Sequence, residues 1–247
     1  MKKVFISIGH GGKNPGAVGY VVEKDVNLYV GLSCNSYLNK RGIKTLLSRY
    51  KDEDDDVTEE IKECNNFNPD LAISCHANAG GGIGFEAYYH YKGGTGKILA
   101  ENIEKEIINI GQKSRGIKIK KNAQGTDYYA FIRETKCPAV ICEGFFVDNK
   151  EDAEKCNEDN EYKKFGEAYA KGILKTLGIE GESYNEEIKV GDKVRVIKNI
   201  QYNSDKTFKL WFDKYDVISI SGDRVVIGIK GTVTAAINIC NIEKIKN

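Results

Sequence analysis

Long hydrophobic runs are absent from this chain. No apolar stretch approaches the ~18 residues that a membrane-spanning helix needs, which argues against membrane insertion. At the N-terminus, Met1-Lys2-Lys3 is followed only by Val4 to Ile8 before Gly9-His10, shorter than the apolar stretch of about 7–15 residues in a secretory signal. The expectation is a protein made in the cytoplasm without a signal peptide. An excess of one charge is also missing: 37 Lys and Arg against 36 Asp and Glu leave a net charge of +1, so the electrostatic footprint of a nucleic-acid binder is not there. The seven cysteines are odd in number, scattered and free of any C-x-x-C pair, which points to reduced thiols, most of them buried as small hydrophobes. Histidine is scarce, with three in 247 residues, so the position of each one carries information.

What is present fits one enzyme-sized domain and a small module. Apolar residues make up 40% and charged residues 30%, a globular balance. Strand-like and helix-like segments alternate through the first two-thirds, the pattern of an α/β fold with a mixed, mostly parallel sheet flanked by helices. Lys3 to Ile8 reads as the first strand. Val26, Tyr29, Val30, Ser33 and Tyr37 recur at helical spacing, with Gly42 as the stop. Strands are expected at Ile43 to Leu47, Leu71 to His76, Gly84 to Tyr91 and Ala139 to Cys142, and a helix from Val57 to Phe67. Ile98, Ile103 and Ile107 mark a further helix, and Tyr162, Phe165, Tyr169 and Ile173 the last one. The polar stretch 179–187 reads as a linker between domains at 1–178 and 188–247. The second domain is rich in short strands, expected at Lys193 to Ile197, Phe208 to Phe212, Asp216 to Ile220, Arg224 to Ile229 and Ala236 to Ile239, and suggests a small all-β barrel.

Two of the three histidines close expected strands: His10 in Ile8-Gly9-His10-Gly11-Gly12, and His76 in Ser74-Cys75-His76-Ala77-Asn78. Strand ends of an open α/β sheet are where ligand sites collect. Glu23 opens the first helix, where a carboxylate is favoured beside the positive end of the helix dipole. Taken singly, each residue has an ordinary structural explanation; together, two imidazoles and a carboxylate match the ligand count of a catalytic zinc that keeps a position for water. Glu143 follows the apolar strand Ala139 to Cys142. It is placed either to exchange protons with a metal-activated water or to pair with a cation such as Arg133.

These residues resemble the zinc-dependent N-acetylmuramoyl-L-alanine amidases found in clostridial phage endolysins and bacterial autolysins. The resemblance rests on four ordered motifs: Ile8 to Gly12, Glu23-Lys24-Asp25-Val26-Asn27-Leu28, Ser74 to Asn78, and Pro138 to Phe145. It implies that His10, Glu23 and His76 are zinc ligands, that Glu143 is the catalytic carboxylate, and that zinc-activated water attacks the amide between muramic acid and L-alanine. The implied substrate is peptidoglycan of Gram-positive walls, reached after release from the cell. Val190 to Val194, Tyr215 to Ile218, Gly222 to Gly228 and Val233 to Ala236 resemble the bacterial SH3-like domains that follow such catalytic domains, which implies wall targeting. Among Tyr202, Phe208, Trp211, Phe212 and Tyr215, most are expected in the barrel core, with some as wall contacts. A zinc peptidase acting within the stem peptide and a non-catalytic wall binder remain the alternatives.

Other patterns fail on their own chemistry. Asp52, Asp54, Asp56, Thr58, Glu60 and Glu63 occupy the ligand positions of a calcium loop, but Val57 stands where the sharp turn calls for Gly, so a solvated acidic run at a helix N-terminus is expected. Gly93 to Lys97 lacks the first Gly and the final Ser/Thr of a phosphate loop. His90 is expected at the surface or a sheet edge.

Overall fold

Six strands, each followed or preceded by helices, build the first part of the chain. In the computed structural model, which describes residues 1–155, 159–179, 188–204 and 206–245, the chain divides into Met1–Glu180 and Gly181–Asn247. In the first unit the strands are β1 (Lys3–Ile8), β2 (Lys44–Leu47), β3 (Leu71–Asn78), β4 (Phe85–Tyr89), β5 (Ser114–Lys118) and β6 (Ala139–Phe146). The helices are α1 (Glu23–Asn39), α2 (Val57–Phe67), α3 (Thr95–Asn109), α4 (Ala130–Glu134), α5 (Lys150–Glu154) and α6 (Asp159–Thr176). The sheet order is β2-β1-β3-β6-β4-β5; every neighbouring pair is parallel except β4 with β6. This is the mixed, mostly parallel sheet flanked by helices that the alternating pattern predicts.

The central strands are mostly apolar because helices pack against both faces. Ile6, Ile8, Ile73, Cys75, Val140 and Cys142 lie against α1, α3 and α6. On the opposite face Phe5, Ala72, Ala139 and Ile141 pack with Ile61 and Cys64 of α2 and Phe131 and Ile132 of α4. Short α2 and α4 cover that face incompletely, and Ser7, Ser74, His76 and Glu143, spaced by two along their strands from these apolar residues, share it. The uncovered part of this face is where polar residues collect.

Three elements escape the sequence pattern: β5, α4 and α5, each only five residues long. Two strands run further than expected. β3 continues through Asn78 and β6 through Phe146, because their pairing persists past a register shift to Asn78 opposite Phe146. His76 and Glu143 therefore sit inside strands rather than at their ends. His10 lies two residues beyond β1. Of the thiols, Cys34, Cys64, Cys75 and Cys142 are buried and Cys137 is half-buried, all free; Cys156 lies outside the described residues, and so does the side chain of Cys240.

The second unit is an all-β region: β7 (Lys193–Val196), β8 (Tyr215–Ser221), β9 (Arg224–Ile229), β10 (Thr232–Asn238) and β11 (Ile242–Lys244) form an antiparallel sheet in the order β10-β9-β8-β7-β11. Val194, Tyr215, Val217, Val225, Ile227, Ile237 and Ile242 form its core. The strand expected at Phe208 to Phe212 does not form. The N–H groups of Trp211 and Phe212 donate to the Tyr215 hydroxyl (2.9 and 3.2 Å) instead of to a neighbouring strand. As a result Leu210, Trp211 and Phe212 face solvent, and of the five aromatics expected mostly in the core only Tyr215 is buried: Phe208 packs at the core edge, Tyr202 is half-buried with its hydroxyl donating to Asp223 Oδ1 (2.6 Å), and Trp211 and Phe212 are outside it. Except for Ile179, the expected linker lies outside the described residues. No helix among the described residues is long and apolar enough to cross a membrane.

Candidate metal centre

Three loops and strands converge where β1 ends. Gly9 follows β1 and lies against the His76 ring, where a Cβ would come within 2.2 Å of Cε1; only glycine lets the two strands bring that imidazole so close. His10 then turns with φ +63°, a left-handed conformation that a non-glycine residue holds only when its surroundings enforce it. Gly16 closes the loop over the pair, with room for no Cβ between Glu23 Oε2 and His10 Cδ2.

The enforcement comes from Arg49, a residue the sequence reading did not single out. It is 1% exposed, and its guanidinium donates from Nε to the Ile8 carbonyl (3.1 Å), from Nη2 to Lys24 (2.6 Å) and from Nη1 to Lys51 (3.1 Å). One side chain thereby ties together the end of β1, the first turn of α1 and the segment after β2. Asn27 Nδ2 adds a bond to the Gly9 carbonyl (3.0 Å), and Asp52 and Asp54 accept from the N–H groups of Gly12 and Lys13 (both 2.8 Å). Arg49→Lys keeps the charge but loses the planar fork. With buried carbonyls left unpaired at about 1–3 kcal/mol each, a loss of about 2 kcal/mol in stability is expected, with weaker metal retention. Denaturant unfolding and metal content after dialysis check this; unchanged values for both would remove Arg49 from the support of the loop.

The structure brings His10, Glu23 and His76 together: one donor atom from each lies within 4.8 Å of the others. Glu23 Oε1 is 3.1 Å from His10 Nε2 and 3.0 Å from His76 Nδ1, and the two rings meet edge to face. Burial by itself would raise the Glu23 pKa, but the bonds to both imidazoles and to the Ala17 N–H outweigh it and hold the carboxyl well below its usual range. Burial disfavours a charged His76, yet its bond to Glu23 and the nearby Glu143 charge leave its pKa raised. The donor set fits a metal ion: tetrahedral sites with bonds of about 2.0–2.1 Å have donor–donor edges of about 3.3 Å, close to the two distances from Glu23 to the imidazoles.

No hydrogen bond joins Glu143 to the three donors. It stands on β6 with His76 as its register partner on β3 and Glu86 as its partner on β4. It lines a cavity of about 310 Å³ together with His10, Glu23, His76, Tyr129 and Ile141. Burial raises its pKa; His76 opposes this, while the charges of Glu23 and Glu86 add to it. Arg133, the alternative partner, is engaged elsewhere, with Glu134 (2.6 Å) and the carbonyls of Asp127 and Tyr128. His90 lies 3.1 Å from Asp127 Oδ2, half-exposed as expected.

Sequence reasoning also missed Glu60 and Tyr129. Both line a second cavity of about 340 Å³ that shares His10, His76, Tyr129 and Ile141 with the first. Asp56 caps α2, accepting from the Thr58 N–H (2.8 Å), so the acidic run does start a helix. It is not solvated throughout, because Glu60 is 6% exposed and accepts from Ser7 Oγ (2.8 Å). The Tyr129 hydroxyl is pushed up to about 12 by burial and then by the Glu143 charge.

A family model described as N-acetylmuramoyl-L-alanine amidase matches residues 4–175. The sporulation-specific N-acetylmuramoyl-L-alanine amidase of Bacillus subtilis (strain 168) is 31% identical over 188 residues, covering 74% of this chain and 71% of that protein. The endolysin of Bacillus phage SPP1 is 32% identical over 202 residues, covering 78% and 72%. Among solved structures, the catalytic domain of CwlV, an N-acetylmuramoyl-L-alanine amidase from Bacillus (Paenibacillus) polymyxa var. colistinus, superposes with a TM-score of 0.66 at 28% identity over 73% of this chain and all of that one.

Proposed function

Since the chain belongs to the N-acetylmuramoyl-L-alanine amidase family, we propose that it hydrolyses peptidoglycan at the amide between muramic acid and L-alanine, using zinc held by His10, Glu23 and His76. The observation that carries this reading is the convergence of two imidazole nitrogens and one carboxylate oxygen beside a separate carboxylate, Glu143, in one cavity. A zinc ion in such a donor set supplies Lewis acidity, polarising a carbonyl and lowering the pKa of water to about 7.

Glu143 does the proton work. Its carboxylate faces the cavity from a rigid strand and takes a proton from the attacking water. As the C–N bond breaks, Glu143 returns that proton to the departing L-alanine nitrogen. Burial raises its pKa and so makes the carboxylate a stronger base toward that proton. Tyr129, with its hydroxyl pushed up to about 12, stays protonated and serves as a hydrogen-bond donor at the cavity wall.

The proposal extends to the organisation of the chain: a catalytic domain at 1–178, a linker at 179–187 and an SH3-like wall-binding domain at 188–247, acting on the Gram-positive wall. In the second unit Leu210, Trp211 and Phe212 line a cavity of about 700 Å³ with Arg195 and Lys214, a pairing of aromatic faces and hydrogen-bond donors suited to wall polymers. Mass spectrometry of fragments released from purified Gram-positive peptidoglycan tests the reaction. Intact stem peptides with free L-alanine amino termini, lost on chelation, are expected. Cuts between stem-peptide residues would make it a peptidase, and no release a wall-binding protein.

A further inference from the structure

Between Glu106 and Asp127 the chain carries five basic residues and no acidic one. This stretch forms the edge strand β5 and the loop that returns to Tyr129 beside the metal centre. Three of its cations are matched: Lys113 by Glu151, and Arg115 and Lys118 by Glu86. Lys120 and Lys121 are exposed, and no ion pair among the described residues engages them. Instead, Lys120 Nζ lies 4.0 Å from the Tyr128 ring centroid and 5.3 Å from that of Tyr129, and Lys121 Nζ lies 4.4 Å from that of Tyr91. Cation–π contact holds both ammonium groups against aromatic faces with their remaining donors unspent. The neighbouring acids offer them nothing, because Glu86, Asp127 and Glu134 already have Arg115 and Lys118, His90 and Arg133.

Building on the amidase reading above, we propose that Lys120 and Lys121 form a subsite for the carboxylates of the stem peptide beyond the scissile amide. The placement follows from Tyr129. This residue lines both cavities that contain His10 and His76, and Lys120 Nζ lies over its ring. A peptide whose first amide lies at the metal centre and which leaves along Tyr129 therefore meets the two ammonium groups within a few residues. The stem peptide is anionic, with free carboxylates after its L-alanine, and the lysines supply the complementary charge. Exposed ion pairs are individually weak, and two of them together amount to roughly a tenfold effect on binding.

The test compares soluble muramoyl peptides whose carboxylates are free with the same peptides amidated. Wild-type protein is expected to cut the free form with a KM about tenfold lower, an advantage that shrinks with salt. The Lys120→Glu/Lys121→Glu protein should lose that preference with kcat within about twofold, and Lys120→Arg/Lys121→Arg should keep it. A reading independent of turnover is the dissociation constant of the sugar-free stem peptide for full-length Glu143→Gln protein, with and without the lysine changes. Equal preference in wild type and the Glu pair, or equal peptide affinity, overturns the subsite. A loss seen only on walls bearing anionic polymers, and not on soluble peptides, assigns the lysines to those polymers and overturns it too. Wild-type cleavage of both peptide forms is the control; it fails only if the amidase reading fails, and the proposal then falls with it.

Discussion

Replacing Glu143 by Gln is expected to slow the release of L-alanine-terminated peptides by about 10²–10⁴-fold, the range that a positioned general acid–base group contributes. The amide fills the same volume and keeps hydrogen bonding, so the substitution removes proton transfer and little else. Glu143 lines the cavity but bonds to none of the three donor side chains; the His10, Glu23 and His76 contacts do not depend on it. Metal content should therefore stay at the wild-type level, and the fold should be intact or slightly more stable, since the site disfavours a charged carboxylate there. Turnover and metal stoichiometry measured on the same preparation separate the possibilities. A wild-type rate would remove Glu143 from the reaction, whereas a loss of metal would make it a ligand.

Much of this site is legible in the sequence because its chemistry uses rare residue types at informative places. Histidines are few, and the two at the centre follow or occupy apolar strands; Glu23 is the first residue of α1. The supporting parts are less visible. Arg49 acts on carbonyls of residues up to 41 positions away, and nothing in its neighbourhood marks it as buried. Glu60 belongs to an acidic run whose other members are exposed or capping, and only the fold puts it beneath Ser7 and beside Asp55. β5 (Ser-Arg-Gly-Ile-Lys) has a strand's length without a strand's pattern, because an edge strand needs pairing on one side only. Phe208 to Phe212 shows the reverse: β-favouring residues whose amides are claimed by the Tyr215 hydroxyl. Hydrophobic periodicity reports which face is buried, and is silent about single polar side chains that satisfy distant backbone.

Glu60 provides the largest expected pH effect on stability. Its carboxyl is 6% exposed, and burial together with the adjacent Asp55 raises its pKa from 4.5 to about 8, against the pull of the Ser7 hydrogen bond and the His76 charge. The folded chain therefore keeps a proton that the unfolded chain gives up. Below about 4.5 both states hold the proton and stability is complete; between about 4.5 and 8 the unfolded state ionises alone, and stability falls as pH rises. The separation sets a ceiling of about 5 kcal/mol at 1.36 kcal/mol per pKa unit. Glu60→Gln mimics the protonated acid in shape and never ionises, so it should unfold at nearly the wild-type temperature near pH 4 and at a higher one at pH 8.5. With about 2–4 °C per kcal/mol for a domain of this size, that ceiling corresponds to a gap of up to about 20 °C. Both proteins must be metal-saturated during calorimetry, because bound metal raises the midpoint independently. Parallel melting temperatures across that pH range would mean that Glu60 is already ionised in the folded protein.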